Sequence, residues 1–349
     1  MDLEFIIKEI GMYDDQEIQI MEVCGTHTSS IFKNGIRSML SPKIKLISGP
    51  GCPVCVTPAA YIDQAIAWSL KPDTVLLTFG DMMKVPGTEK SLSEAKAEGA
   101  KVEIMYSPQE AVKKAAADPQ TTFVIACVGF ETTIPSYALV LEHMTQRGVS
   151  NIKLLTALRR VMPALDFICS TDNAIAAFIA PGHVSTILGS NIYSTLAERY
   201  AKPFAVAGFE GEHILIAIYD LLQQMKNNKA QVHNLYPSAV KPEGNQAALK
   251  YIDDYFESGP AFWRGIGVIA DSGYYLRPKY QQYDAGSFDL TGDANQKPTA
   301  CRCGEVILGK INPDECPMFA KACTPAKAQG PCMVSSEGTC GIWYRFSKK

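Results

Sequence analysis

Nine short apolar runs punctuate the chain: IQIMEV at 18–23, IKLISG at 44–49, TVLLTFG at 74–80, VEIMY at 102–106, TFVIACVGF at 122–130, NIKLLTAL at 151–158, AAFIAP at 176–181, PFAVAGF at 203–209 and GIGVIA at 265–270. The first eight are each followed by a turn or polar loop. Then, in most cases, comes a stretch with helical spacing, such as AAYIDQAIAWSL, SLSEAKAEGA or YSTLAERYA. That alternation predicts parallel strands joined by crossover helices, and runs apolar at nearly every position fit sheets covered on both faces. We read an α/β protein with two parallel-sheet domains, over 16–130 (completed by part of 205–250) and over 131–225. A small irregular domain follows, assembled from 1–15 with 251–349, against which the N-terminal helix is expected to fold. An internal echo accompanies this division: VGFETT at 128–133 and AGFEGE at 207–212 both place Gly-Phe-Glu after an apolar strand.

Composition removes several function classes. A hydrophobic content of 47%, a formal net charge of -3 and a pI near 6.0 describe a globular chain without an electrostatic footprint for nucleic acid or anionic membrane. No apolar run approaches the roughly 20 residues of a membrane span. The opening MDLEFIIKEIGMYDDQEIQIMEV lacks the basic start of a secretory signal, so a cytoplasmic protein is expected. Neither a G-x-x-x-x-G-K-S/T phosphate loop, nor a G-x-G-x-x-G fingerprint, nor a serine nucleophile elbow occurs, leaving nucleotide-driven and serine-hydrolase chemistry unsupported.

Eleven cysteines in such a chain ask for a metal or redox explanation. Six of them fall in the tail, at Cys301, Cys303, Cys316, Cys323, Cys332 and Cys340. Structural zinc sites favour close Cys-x-x-Cys pairs, and the tail has none. Gaps of twelve, six and sixteen residues between Cys303, Cys316, Cys323 and Cys340 suit loops wrapped around a larger object, such as an iron–sulfur cluster held by four thiolates. A zinc-stapled tail is the rival reading.

Further chemistry gathers just after the strands, where open parallel sheets bind ligands. Cys24-Gly25-Thr26-His27 offers a thiolate and an imidazole to one soft metal, or a nucleophile and its base, or a buried cysteine before a helix cap. Gly49-Pro50-Gly51-Cys52-Pro53-Val54-Cys55 is a dithiol at a strand-to-helix junction, a redox arrangement whose rival is half a zinc site. Gly129-Phe130-Glu131-Thr132-Thr133 and Pro181-Gly182-His183-Val184-Ser185 add a carboxylate, hydroxyls and an imidazole. The loop of Gly80, Asp81 and Lys84 is read as solvated, and Cys127 and Cys169 as inert core thiols.

Together and in this order, these motifs resemble the HypD family, which matures NiFe hydrogenases; FGDMMKVPG at 79–87, WRGIGVI at 263–269 and MVSSEGTCGIWY at 333–344 extend the resemblance over nearly the whole chain. It implies a metallocentre assembly scaffold, rather than a multiple-turnover enzyme, on which an iron bearing two cyanides and one carbon monoxide is built. It implies a stable complex with a small chaperone, HypC, delivery of cyanide by HypE as a thiocyanate, and the hydrogenase large subunit as indirect recipient. The iron is implied to sit between HypC and Cys24 with His27 nearby, Cys52 and Cys55 to act as a redox dithiol, and Cys303, Cys316, Cys323 and Cys340 to hold a 4Fe-4S cluster. Cys301 and Cys332 fall outside that ligand set. Glu131, Thr132, Thr133 and His183 are expected to hydrogen-bond cyanide nitrogens or move protons. On the residues alone, a cluster-fed dithiol–disulfide oxidoreductase and a zinc-stapled binding module remain open.

Overall fold

A computed structural model describes residues 2–171, 173–287 and 300–346. Eleven strands form: β1 (Ile18–Glu22), β2 (Ile44–Ser48), β3 (Thr74–Thr78), β4 (Val102–Ile104), β5 (Thr122–Gly129), β6 (Ile152–Arg159), β7 (Ile175–Ala180), β8 (Phe204–Val206), β9 (Val232–Asn234), β10 (Phe256–Trp263) and β11 (Gly267–Leu276). All nine apolar runs overlap a strand, and the protein is α/β with mainly parallel sheets. The first sheet, ordered β2-β1-β7-β8-β9, is parallel throughout. The second is ordered β10-β11-β6-β5-β3-β4; its β6-β5-β3-β4 part is parallel, while β10 and β11 form an antiparallel hairpin laid antiparallel on β6. Helices cover both faces of these sheets, which is why β5 is buried at every position after Thr122.

The sheets draw on the chain differently from the expected ranges. Strands β3 to β6 leave the first sheet to build the second, and β7 to β9 return to the first. Residues 256–276 of the range 251–349 belong to the second sheet, and 288–299 and 347–349 of that range lie outside the described residues. The N-terminal helix Leu3–Gly11 also departs from expectation. It buries Ile6 and Ile10 in the core of the first sheet, with Phe5 edge-on to Tyr219 of helix Gly211–Lys226 at 6.2 Å. Its apolar stripe matches that helix, whereas the tail offers few apolar ridges to receive it.

The tail instead folds as short turns between the helices Cys303–Ile307 and Thr339–Phe346. The latter docks on helix Gly25–Lys33: Phe32 meets Trp343 edge-on at 5.1 Å and stacks on Phe346 at 5.6 Å, while the Arg37 guanidinium lies 4.9 Å above the Trp343 ring. Among the described residues no helix is long and apolar enough to cross a membrane.

Candidate functional site

In the first sheet β1 lies between β2 and β7, so the chain leaves it to one side and later resumes on the other. Loops after β1 and β7 therefore diverge, and the crevice between them is the natural ligand site of such a sheet. Cys24 follows β1 and His183 follows β7, and the Cys24 Sγ lies 3.9 Å from the His183 Nδ1. Both line a cleft of about 400 Å³, with Gly51 and Pro53 from the dithiol loop, Thr132 and Thr133 from the end of the second sheet, and Glu337 from the tail. Cys24 is the N-cap of helix Gly25–Lys33. Burial pushes its thiol up to about 11 against the opposing pull of the Thr26 and His27 amides, so the sulfur holds its proton at neutral pH.

His27 lies behind this wall, fully buried and outside the cleft lining. Its Nε2 is 3.2 Å from the Ala207 carbonyl and 3.1 Å from the Gly208 carbonyl. Carbonyls only accept, so Nε2 carries the hydrogen. Burial lowers the imidazole to about 4, leaving a neutral ring whose Nδ1 bears the lone pair. That Nδ1 is buried and has no hydrogen-bond partner among the described residues. Nor do any three His, Cys, Asp or Glu side chains among them converge as a site for a single metal ion.

The dithiol loop is wedged against the Cys24 loop. A Cβ on Gly51 would come within 2.6 Å of the Val23 carbonyl oxygen and 2.7 Å of the Cys24 Cα. Glu22, buried beneath both, accepts from Thr28 Oγ1 at 2.6 Å and Ser48 Oγ at 2.5 Å, tying the helix that follows Cys24 to the strand that precedes Cys52. The tail presses from a third side, where a Cβ on Gly25 would meet the Glu337 carbonyl at 2.2 Å. Glu131 is buried behind the cleft. Its Oε1 accepts the Val161 amide at 3.0 Å, its Oε2 has no partner among the described residues, and burial pushes the carboxyl up to about 7.

The thiols form a second structure. Cys301, Cys303, Cys316, Cys323 and Cys340 line one small enclosed pocket whose remaining walls are Val306, Met318, Phe319 and Met333. Cys301 and Cys303 bring their sulfurs to 3.1 Å, and a Cβ on Gly330 would strike both. Burial raises the Cys323 thiol, and contact with Cys303 raises that of Cys301. Soft sulfur donors gathered in an apolar enclosure suit a thiolate-held cluster. Cys332, fully buried, stands outside this pocket, and neighbouring Cys303 raises its thiol. Cys55 donates its amide to the Cys52 Sγ at 3.3 Å. Cys52, Cys55, Cys316, Cys323, Cys332 and Cys340 belong to one buried cluster. Cys301 and Cys332 fall outside the ligand set that the family resemblance implies; being two of six cysteines in so short a tail is the only signal they carry in the sequence.

Comparison with known proteins agrees over the whole chain. A family model, HypD, described as "Hydrogenase formation hypA family", matches residues 3–347. The chain is 41% identical over 338 residues to the hydrogenase maturation factor HypD of Escherichia coli (strain K12), covering 96% of this chain and 91% of that protein. It is 38% identical over 348 residues to that of Rhodobacter capsulatus, covering 97% and 92%. It is 36% identical over 343 residues to that of Cupriavidus necator, covering 95% and 90%.

Proposed function

The chain belongs to the HypD family of hydrogenase maturation proteins, and from that premise we propose that it is the scaffold on which the iron dicyanide carbonyl unit of a NiFe hydrogenase is assembled. The observation that carries this reading is the crevice at the β1/β7 switch point, where Cys24 and the His183 Nδ1 stand 3.9 Å apart beside the dithiol loop. Cys24 is the thiolate that a low-spin iron dicyanide would take. The second ligand-bearing partner is a HypC-type chaperone, seated at the mouth of this cleft, and HypE is the cyanide donor. Thr132, Thr133 and His183 face the cargo and supply hydrogen bonds to its cyanide nitrogens. Glu131 and His27, set behind, hold the wall and its protons.

The electron balance favours a dithiol at this place. Cleaving the S–C bond of a thiocyanate to a thiol and hydrogen cyanide consumes two electrons and two protons. Closing a disulfide between Cys52 and Cys55 releases both. The tail thiols would hold a 4Fe-4S cluster, which supplies single electrons when bound. Cys303, Cys316, Cys323 and Cys340 are its proposed ligands, with Cys301 competing for one position from the same pocket. Cys332 shares a buried cluster with that pocket's thiols and Cys55.

The test is infrared spectroscopy of the chain purified anaerobically with its chaperone. The wild-type complex should carry cyanide and carbon monoxide stretching bands. Cys24→Ala should lose them by at least about a hundredfold, the scale of removing a metal's anchoring ligand or its support, while Cys169→Ala keeps them. Bands that persist in Cys24→Ala would remove Cys24 from the iron.

A further inference from the structure

The AGFEGE loop echoes VGFETT in the sequence, and its phenylalanine packs against two imidazoles. The Phe209 ring lies 4.1 Å from the His183 ring at 28° and 4.8 Å from the His27 ring at 33°, measured between centroids. One aromatic side chain therefore contacts both imidazoles of the site. The same loop supplies the Ala207 and Gly208 carbonyls that face the His27 Nε2. Its own position is fixed from two sides. Ser30 Oγ donates to the Phe209 carbonyl at 2.5 Å. Behind it, a Cβ on Gly182 would come within 2.7 Å of the Ala207 carbonyl oxygen and 2.9 Å of the Phe209 Cζ. Glycine before His183 is what lets this loop approach so closely.

We infer that the loop Ala207–Gly208–Phe209 is the positioning element of the iron site: its carbonyls hold His27 as the Nε2–H tautomer, and the Phe209 ring fixes both imidazole planes so that the His183 Nδ1 faces Cys24. The residues act on the cargo through the two histidines and need not touch it. The inference rests on the reading that Cys24 and its neighbours serve the iron. Its physical basis is general: an imidazole presents a lone pair in a fixed direction only when the other nitrogen is hydrogen-bonded and the ring plane is held. Two carbonyls and one aromatic face supply both conditions for His27, and the aromatic face supplies the second for His183.

The experiment combines two measurements on the full-length chain labelled with ¹⁵N-histidine. Long-range ¹H–¹⁵N correlation spectra report each tautomer directly, and infrared bands report iron dicyanide loading after co-expression with the other maturation factors. Wild type should show His27 protonated at Nε2. Phe209→Leu keeps apolar bulk but no ring plane. It should displace or double the His27 and His183 signals and lower loading by roughly tenfold, a modest share of what misplacing a reacting group costs. An Nδ1–H tautomer at His27 in wild type overturns the inference without any variant, so a poorly folding mutant does not protect it. Unchanged imidazole signals and full loading in Phe209→Leu also overturn it. If the wild-type chain takes up no iron dicyanide, the functional reading falls, while the tautomer spectrum still decides the role of the loop.

Discussion

The Cys24 cleft and the cysteine pocket of the tail are both lined by chemistry-bearing side chains, but they are built in opposite ways. The cleft is made by backbone. Parallel strands end together, the strand order reverses beside β1, and Cys24, His183 and the threonines stand where the strands put them. Hydrogen-bonded sheets hold that arrangement. The tail has no strand of its own and, among the described residues, only two short α-helices and two single 3-10 turns, and the pocket within it is lined largely by sulfur with a few apolar side chains. A segment so poor in core-forming elements would gain most from a metal held by its thiols. Under the proposed function, pre-formed geometry suits the place where cargo would come and go, and metal-dependent folding would suit a cofactor that stays.

The sharpest way to break this contrast is Cys316→Ser. If the tail is organised by its metal, the variant should lose most of the tail's iron and become open to limited proteolysis within 300–346, while the far-UV circular dichroism of the sheets changes little. A smaller effect is expected on the cleft side. Glu131 is uncharged when folded below about 7, whereas an unfolded chain releases that proton near 4.5. Its contribution therefore falls as pH rises from about 4.5 to 7, and the penalty is fully present above that window. Glu131→Gln should raise stability at pH 8 relative to wild type, on the order of 3 kcal/mol, with no gain at pH 4, measured by urea unfolding at both values. The smallest effect is at the seam between the two regions. Arg37→Ala removes the cation over Trp343 and its bond to the Leu46 carbonyl, and should lower the melting temperature by the equivalent of about 1–2 kcal/mol without reducing tail iron. Loss of iron in that variant would mean that the tail needs the sheet's support as much as its metal.

The two regions also differ in how readable they are. Strand ends could be read from the sequence because an apolar run followed by Gly, Pro and a polar group marks both the strand and its carboxyl end. Hence the loops of Cys24, Thr132 and His183 could be expected on the ligand-binding edge, where the structure brings them together. Sheet membership could not, since a crossover helix returns the chain to either sheet with equal local patterning. Strands β9 and β10 escaped for a related reason: one is three residues in a polar stretch, and FESGPAFW carries a Gly-Pro and a charge that obscure its alternation. In the tail, sequence spacing says nothing of distance through space. Cys301 and Cys332 fall outside the ligand set that the family resemblance implies, yet one joins the pocket and the other shares a buried cluster with Cys55. His27 is the instructive case within the cleft. Its closeness to Cys24 in sequence suggests a shared metal, whereas the helix turns it inward onto the Ala207 and Gly208 carbonyls, where its Nδ1 has no partner among the described residues.

The proposed supply of electrons to the Cys52–Cys55 dithiol requires iron in the tail. Anaerobic purification followed by iron, sulfide and zinc analysis with a visible spectrum tests this directly. About four iron and four sulfide per chain, with broad thiolate-to-iron absorption in the visible, is the expected result. Stoichiometric zinc in a colourless protein would contradict it, leaving the dithiol without a source of electrons in the buried cluster it shares with the tail thiols.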